Sequence, residues 1–473
     1  MRPTDQAMGL TASAKTPLFW APLAWVDGQW QHGVCLQADT SGHWSRITAG
    51  TATAPEHATV LPGPVLPGMV NAHSHAFQRA FAGLSERRAS DADDFWSWRD
   101  RMYGVALRIT PAQLRAVAAQ LYVEMLQGGY TQVCEFHYLH HSESGAAYKD
   151  PSTLAWAVAD GAADAGLGLT LLPVLYERAG FAQDQLRDDQ RRFAGTPSFI
   201  ADLQKTVQAS GRALVNAGVS IHSLRAASGT SIAHLLQAVG EQDLPIHIHI
   251  AEQMQEVRDC LAHTGQRPIA WLTRKLPLDA RWQLVHATHA IEGEIEAVAS
   301  SGAGIVICPS TEGNLGDGFA NLPVWLQHGV PMALGSDSHV CRQWNEELRW
   351  LEYGQRLLLQ RRNVAALPMQ AEGATAARLF DAAMRSGGTA AGQKQWGLVA
   401  GARADLLVLD TQAPGLLGLP TGHLLDATVF ACDKAPVRDV YVAARCVLFQ
   451  GRHAQQDAIA QRFVEAMQGL WGH

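Results

Sequence analysis

Four stretches of the chain carry metal-ligating or proton-transferring side chains at spacings that make chemical sense together. His73-Ser74-His75 is the first, and in an extended stretch residues i and i+2 face the same side, so both imidazoles can address one ion. Alone, the pattern also fits a polar strand end with two unrelated histidines. The second, His247-Ile248-His249-Ile250-Ala251-Glu252, alternates His and Ile and ends on a carboxylate. His249, at the last inward position, is the expected ligand, whereas His247, one layer deeper, reads as a hydrogen-bonded core histidine. Glu252 is placed for acid and base work on an activated water, and its bland alternative is a surface glutamate opening a helix. The third, Leu284-Val285-His286, ends on a histidine suited to stabilising developing negative charge or binding substrate, with His289 expected as a solvated loop residue. The fourth, Met332 to Asp337, ends an apolar run on an aspartate able to ligate a metal and accept a proton, although an isolated Asp after Gly-Ser more often caps a turn. Three imidazoles and one carboxylate leave a coordination position open for water, which describes a catalytic site rather than a closed structural one.

These residues must be brought together by the elements they terminate. Eight apolar runs read as strands: Gly68 to His73, Thr131 to Phe136, Leu169 to Leu175, Ala217 to Ile221, Pro245 to His249, Gln283 to His286, Gly304 to Cys308 and Pro331 to Gly335. The segments between them have helical composition. The clearest helix starts at Thr110-Pro111, continues with apolar residues at Leu114, Val117, Ala118, Leu121 and Met125, and stops at Gly128-Gly129. Eight such units predict an α/β fold, a (β/α)8 TIM-like barrel over 67–396 with its chemistry at the C-terminal strand ends. An open doubly wound sheet keeps the same chain order. Residues 1–66 and 397–473 are β-like, the latter with Ala404 to Asp410 and Val437 to Phe449 as strands, and are expected to form a small β-sandwich domain built from both chain termini, plus a terminal helix.

Composition narrows the class. In 473 residues, 47% are hydrophobic and 17% charged, and the net charge is -7 without a dense basic block, which argues against a nucleic-acid surface or a polybasic membrane anchor. All but six of the 37 basic residues are arginines, suited to bidentate carboxylate binding. The seven cysteines form no CxxC pair, and no uninterrupted apolar segment resembles a secretory signal or a membrane span, so a cytoplasmic location is expected. After the fourth strand comes His222-Ser223-Leu224-Arg225, without lysine, so one ion rather than a lysine-bridged pair is expected.

The motifs PGMVNAHSH, HIAE, LVH, GSD and GARADLLVLD together resemble the single-metal aminohydrolase branch of the amidohydrolase superfamily, over nearly the whole chain. Within it the chain looks most like the formimidoylglutamate deiminases, through NAHSHAFQRAFAGL (71–84), DDFWSWRDRMY (93–103), EFHYLHH (135–141), HSLRA (222–226) and GNLGDG (313–318). A glycine at 313, where alanine is expected, is a small departure. The resemblance implies one divalent metal, zinc with iron as the alternative, on His73, His75, His249 and Asp337. It further implies Glu252, His286 and Asp337 as catalytic groups, and Gln78, Arg99, Tyr138, His222 and Arg225 as substrate contacts. The implied reaction is hydrolysis of N-formimino-L-glutamate to N-formyl-L-glutamate and ammonia, in a homodimer with no nucleic-acid or membrane partner. A related aminohydrolase acting on a heteroaromatic amine such as guanine or an adenosine derivative is the alternative.

Overall fold

A computed structural model describes residues 16–86, 95–367 and 373–472. Five strands come first: β1 (Leu18–Val26), β2 (Gln29–Ala38), β3 (Trp44–Thr48), β4 (Thr59–Val60) and β5 (Val65–Pro67). The barrel strands follow as β6 (Met69–Ser74), β7 (Tyr130–His137), β8 (Gly168–Leu175), β9 (Val215–Ala217), β10 (Val219–Ile221), β11 (Ile246–Ile250), β12 (Trp282–His286), β13 (Gly304–Ile307) and β14 (Met332–Leu334). The chain ends with β15 (Leu406–Leu409), β16 (Val437–Val442), β17 (Arg445–Phe449), β18 (Arg452–His453) and a helix, Gln456–Trp471.

From β6 to β14 every strand pair is parallel, and a single bridge between Ser74 and Asp337 brings the last strand back to the first. The result is a nearly closed eight-stranded α/β barrel whose strands are buried on both faces, as continuous apolar runs require. One expected strand, Ala217 to Ile221, is split in two at Gly218, where an added Cβ would lie 2.3 Å from the Pro245 carbonyl oxygen. The helix Pro111–Gln127 starts as its sequence predicts, with Thr110 and Gln113 forming a capping box and Pro111 opening the first turn.

The remaining strands make a separate mixed sheet in the order β18-β17-β16-β15-β5-β1-β2-β3. Its halves join where β15 pairs antiparallel with β5, Leu406 opposite Pro67 and Val408 opposite Val65. Phe19, Leu36, Trp44, Val65 and Leu406 give it a core of its own. Val437 to Phe449, read as strand throughout, turns back on itself at Ala443 and Ala444, which both take left-handed backbone angles of φ 48° and 63°. No helix among the described residues is long and apolar enough to cross a membrane.

Candidate active site

The seam between the first and last barrel strands fixes two of the expected ligands. Asn71, inside β6, accepts from the Ser336 backbone N–H at 3.0 Å and donates to the Ser336 hydroxyl at 2.6 Å. The backbone N–H groups of Ser336 and Asp337 both reach the His73 carbonyl, at 3.2 and 3.0 Å. His73 and Asp337 are therefore held relative to each other by main-chain bonds.

Four ring and carboxylate atoms meet above that seam. His73 Nε2 stands 3.1 Å from His75 Nε2 and 2.9 Å from His249 Nε2, while Asp337 Oδ1 is 3.4 Å from His73 Nε2 and 3.2 Å from His75 Nε2. His75 donates its Nδ1–H to the Phe136 carbonyl at 3.0 Å, which fixes the ring so that Nε2 is the atom it turns toward the others. His73 Nε2 can place at most one proton between itself and two neighbours, so the cluster as a whole needs a cation. A five-coordinate ion with ligands at roughly 2.0–2.2 Å, its fifth position left for water, would set neighbouring donor atoms about 2.8–3.8 Å apart, a range that covers the spacings above. The donor atoms fall into two overlapping groups, His73 with His75 and Asp337, and His73 with His249 and His286, and nitrogen and oxygen donors of this kind suit a divalent metal such as zinc or iron. All four side chains are buried, and burial, partly offset by Asp337, pushes the His73 imidazole down to about 3. For Asp337 burial works the other way, but His73 and His75 outweigh it and hold the carboxyl well below its ordinary range.

Beside this cluster His286, at the end of β12, turns Nε2 toward Glu252 Oε1 at 3.8 Å and Asp337 Oδ2 at 3.9 Å. Its Nδ1 faces Glu312 Oε1 at 3.4 Å, and the same oxygen accepts the Cys308 backbone N–H at 2.9 Å. Burial opposes charge on His286, but Glu252 and then Cys308 and Glu312 outweigh it and hold the imidazolium well above its usual range. Burial raises the Glu252 carboxyl, partly offset by His286. His286 and Asp337 both adopt positive φ, 68° and 44°, a sparsely populated region for such residues and one that recurs at functional sites.

A narrow cleft opens over these groups, lined by His75, His249, Glu252, His286 and Asp337 and also by every expected substrate contact: Gln78, Arg99, Tyr138, His222 and Arg225. Gln78 donates to the Tyr138 hydroxyl at 3.2 Å, and the His222 ring lies 4.3 Å from Tyr176 and 5.1 Å from His249. Burial and then the Arg225 charge hold His222 neutral. Arg99 is lowered by burial and further by Arg225, with Tyr103 and Tyr176 partly offsetting, which places two guanidiniums within electrostatic reach of each other in one cleft. His247 is outside it, bonded through Nε2 to the Ala390 carbonyl at 2.9 Å, and His289 is half-buried. Asp93 and Asp94 of the DDFWSWRDRMY motif lie outside the described residues. Sequence reasoning missed Tyr103, Tyr176, Cys308 and Glu312. Tyr176 directly follows β8, and Cys308 directly follows β13, so the strand-end rule applied to every strand would have flagged both.

Residues 65–447 match the family model described as the amidohydrolase family. The chain belongs to the amidohydrolase family. This amidohydrolase is 47% identical over 442 residues to a formimidoylglutamate deiminase from Pseudomonas aeruginosa, covering 93% of this chain and 96% of that one. It is 25% identical over 393 residues to a 5-methylthioadenosine/S-adenosylhomocysteine deaminase from Haloarcula marismortui, covering 82% of each. Among solved structures, an amidohydrolase from Brucella melitensis aligns at TM-score 0.90 and 40% identity, over 96% of this chain and 99% of that one. An adenosine deaminase from Xanthomonas campestris with bound zinc aligns at TM-score 0.78 and 22% identity, covering 96% and 97%, a likeness of fold.

Proposed function

We propose that this amidohydrolase hydrolyses N-formimino-L-glutamate to N-formyl-L-glutamate and ammonia. The observation that carries the reading is Arg99 and Arg225 lining the same cleft as His75, His249 and Asp337, an arrangement suited to a substrate with carboxylates at one part and a reactive carbon at another. The 47% identity to a formimidoylglutamate deiminase supports it.

His73, His75, His249 and Asp337 would hold one divalent ion, zinc with iron(II) as the alternative. When bound, the ion supplies Lewis acidity that makes water nucleophilic near neutral pH. Asp337 takes the proton from the attacking water. The formimino carbon then carries both the new oxygen and the old nitrogen, and Glu252 with His286 orients that nitrogen and delivers the proton that lets it leave as ammonia. Gln78, Tyr138 and His222 would fix the substrate beside these groups, and Arg99 and Arg225 would grip its carboxylates.

We also propose the division into a barrel at 67–396 with flanking parts at 1–66 and 397–473, a cytoplasmic location consistent with seven free cysteines, and a homodimer. The helix Trp344–Leu359 supports the dimer by exposing Trp350, Leu357 and Leu358 to solvent. The deciding assay is ammonia release by the metal-replete protein from N-formimino-L-glutamate, compared with guanine and adenosine. Turnover of the formimino compound alone is expected. Release from a purine but not from it would overturn the assignment.

A further inference from the structure

Arg225 sits on the loop that follows β10, and five backbone groups of that loop take partners from Glu177 and Arg178, just past the end of β8. Four consecutive carbonyls are involved. Arg178 donates from Nη2 to the carbonyls of Leu224 at 2.8 Å and Ala227 at 3.3 Å, and from Nε to that of Arg225 at 3.1 Å. The Ala226 carbonyl accepts the backbone N–H groups of Glu177 at 2.9 Å and Arg178 at 3.1 Å. Glu177 completes the clamp by accepting the Ser228 N–H at 2.6 Å through its carboxylate. Arg178 itself is half-buried and does not line the active-site cleft.

Within the loop only the Ala226 and Ala227 N–H groups bond back, both to the Ser223 carbonyl at 3.1 Å, so the carbonyls of 224–227 depend on these outside donors to hold their shape. The planar fork of a guanidinium reaches three of them at once in a fixed geometry, which an ammonium or a water molecule does not reproduce. We propose that Arg178 is a positioning residue for substrate recognition: it presets the Arg225 loop so that the Arg225 guanidinium meets a substrate carboxylate without first having to be ordered. The inference rests on the reading above, in which Arg225 grips a carboxylate of the substrate. Arg178 would then set affinity for dicarboxylate substrates while leaving the chemical step to the groups around Asp337.

The test is a double-mutant cycle on the metal-loaded full chain, with steady-state kinetics on N-formimino-L-glutamate and competitive inhibition by glutarate. Arg178→Ala is expected to raise KM and the glutarate inhibition constant 10- to 100-fold while kcat stays within about three-fold, with Arg178→Lys intermediate. In the Arg225→Ala background, Arg178→Ala should add little, because the group it positions is gone. An unchanged KM in Arg178→Ala, or KM factors that simply multiply in the double variant, would overturn the clamp while leaving the carboxylate-binding role of Arg225 standing. If Arg225→Ala alone leaves KM and glutarate inhibition unchanged, the carboxylate reading falls and the clamp with it. A folding defect in Arg178→Ala leaves the Arg178→Lys arm of the cycle to decide on the same criteria.

Discussion

Convergence of the four proposed ligands depends on how closely β14 approaches β6, and Gly335 marks the closest point. An added Cβ at 335 would lie 2.6 Å from His73 Cβ, 2.8 Å from Cys308 Sγ and 3.2 Å from His73 Cα. Unstrained carbon contacts start at about 3.5 Å, so Gly335→Ala must drive the two strand ends apart by roughly 1 Å. The clash cannot be relieved sideways, because Ser336 and Asp337 are bonded to the His73 carbonyl on the very next residues. Metal sites tolerate displacements of only about 0.2 Å in ligand distance, and loosening the support of a ligand weakens binding by about 10- to 100-fold. Overpacking should cost about 1–3 kcal/mol of stability besides. Zinc affinity measured by competition with a chromophoric chelator should therefore fall by one to two orders of magnitude, with circular dichroism unchanged and activity partly restored by excess zinc. Gly313→Ala is the matched control, since its Cβ would meet only the Trp350 ring at 3.8 Å, an ordinary contact. Wild-type zinc affinity and kcat in folded Gly335→Ala would refute the argument that strand approach builds the metal site.

Glu252→Gln and Asp337→Asn should each fold normally and lose about 10²- to 10⁴-fold in kcat, checked by ammonia release; full turnover in either variant removes that residue from the proton path. Arg225→Ala should act mainly on KM, as progress curves across a range of substrate concentrations would show. Glu347, fully buried beneath Ser310 with Glu312 and Glu346 nearby, is pushed up to about 8 chiefly by burial, against the two bonds it accepts from Ser310. Its folded value exceeds its unfolded one, so its contribution is present at low pH and is lost as pH rises toward 8, with a slope of about 1.4 kcal/mol per pH unit. Glu347→Gln should flatten that slope: urea midpoints at pH 6 and pH 8 should converge in the variant, and parallel shifts in both proteins would show that Glu347 does not titrate there. Leu357→Asp should leave turnover intact and shift sedimentation from dimer to monomer, whereas an unchanged dimer would place the interface elsewhere.

What was legible in the sequence follows from what each residue must do. His73, His75, His249, His286 and Asp337 could be singled out because a parallel barrel strand is a short apolar run, and polar residues within or just past its C-terminal end stand at the mouth. The two-residue period of a strand puts His247 and His249 on the same face, so only depth separated them, and the bond of His247 to the Ala390 carbonyl is what the deeper layer demands. The substrate arginines were legible only through resemblance, since nothing in the spacing of Arg99 and Arg225, on separate elements, announces that they share a cleft. The turn at Ala443-Ala444 was illegible for a different reason: alanine seldom takes a left-handed conformation, and the usual Asn-Gly or Gly signal is absent, so neighbouring strands must impose the reversal. Glu312 escaped notice because an acidic residue in the first turn of the helix Pro309–Leu315 suits the helix dipole well enough to need no further reason.

The cleft's charges also bear on which substrate class the proposed activity should favour. A protein of net charge -7 attracts no anion from a distance, so under the proposed function recognition of a dicarboxylate would fall to Arg99 and Arg225, which line the cleft. A protonated formimino group is a cation, and Glu252 and Asp337 favour it in the same cleft. Formimino-glutamate therefore offers acceptors to the guanidiniums and positive charge to the carboxylates. A neutral purine would displace water from both sets without replacing the water's oxygens at the arginines or its protons at the acids. Sites built on buried polar groups reject analogues that lack the matching group more strongly than apolar pockets do, because the protein side of the bond bears the loss. By that reasoning discrimination against purines is carried by the arginines, and removing them should narrow the gap between the two substrate classes by weakening formimino-glutamate, without making this amidohydrolase a purine deaminase.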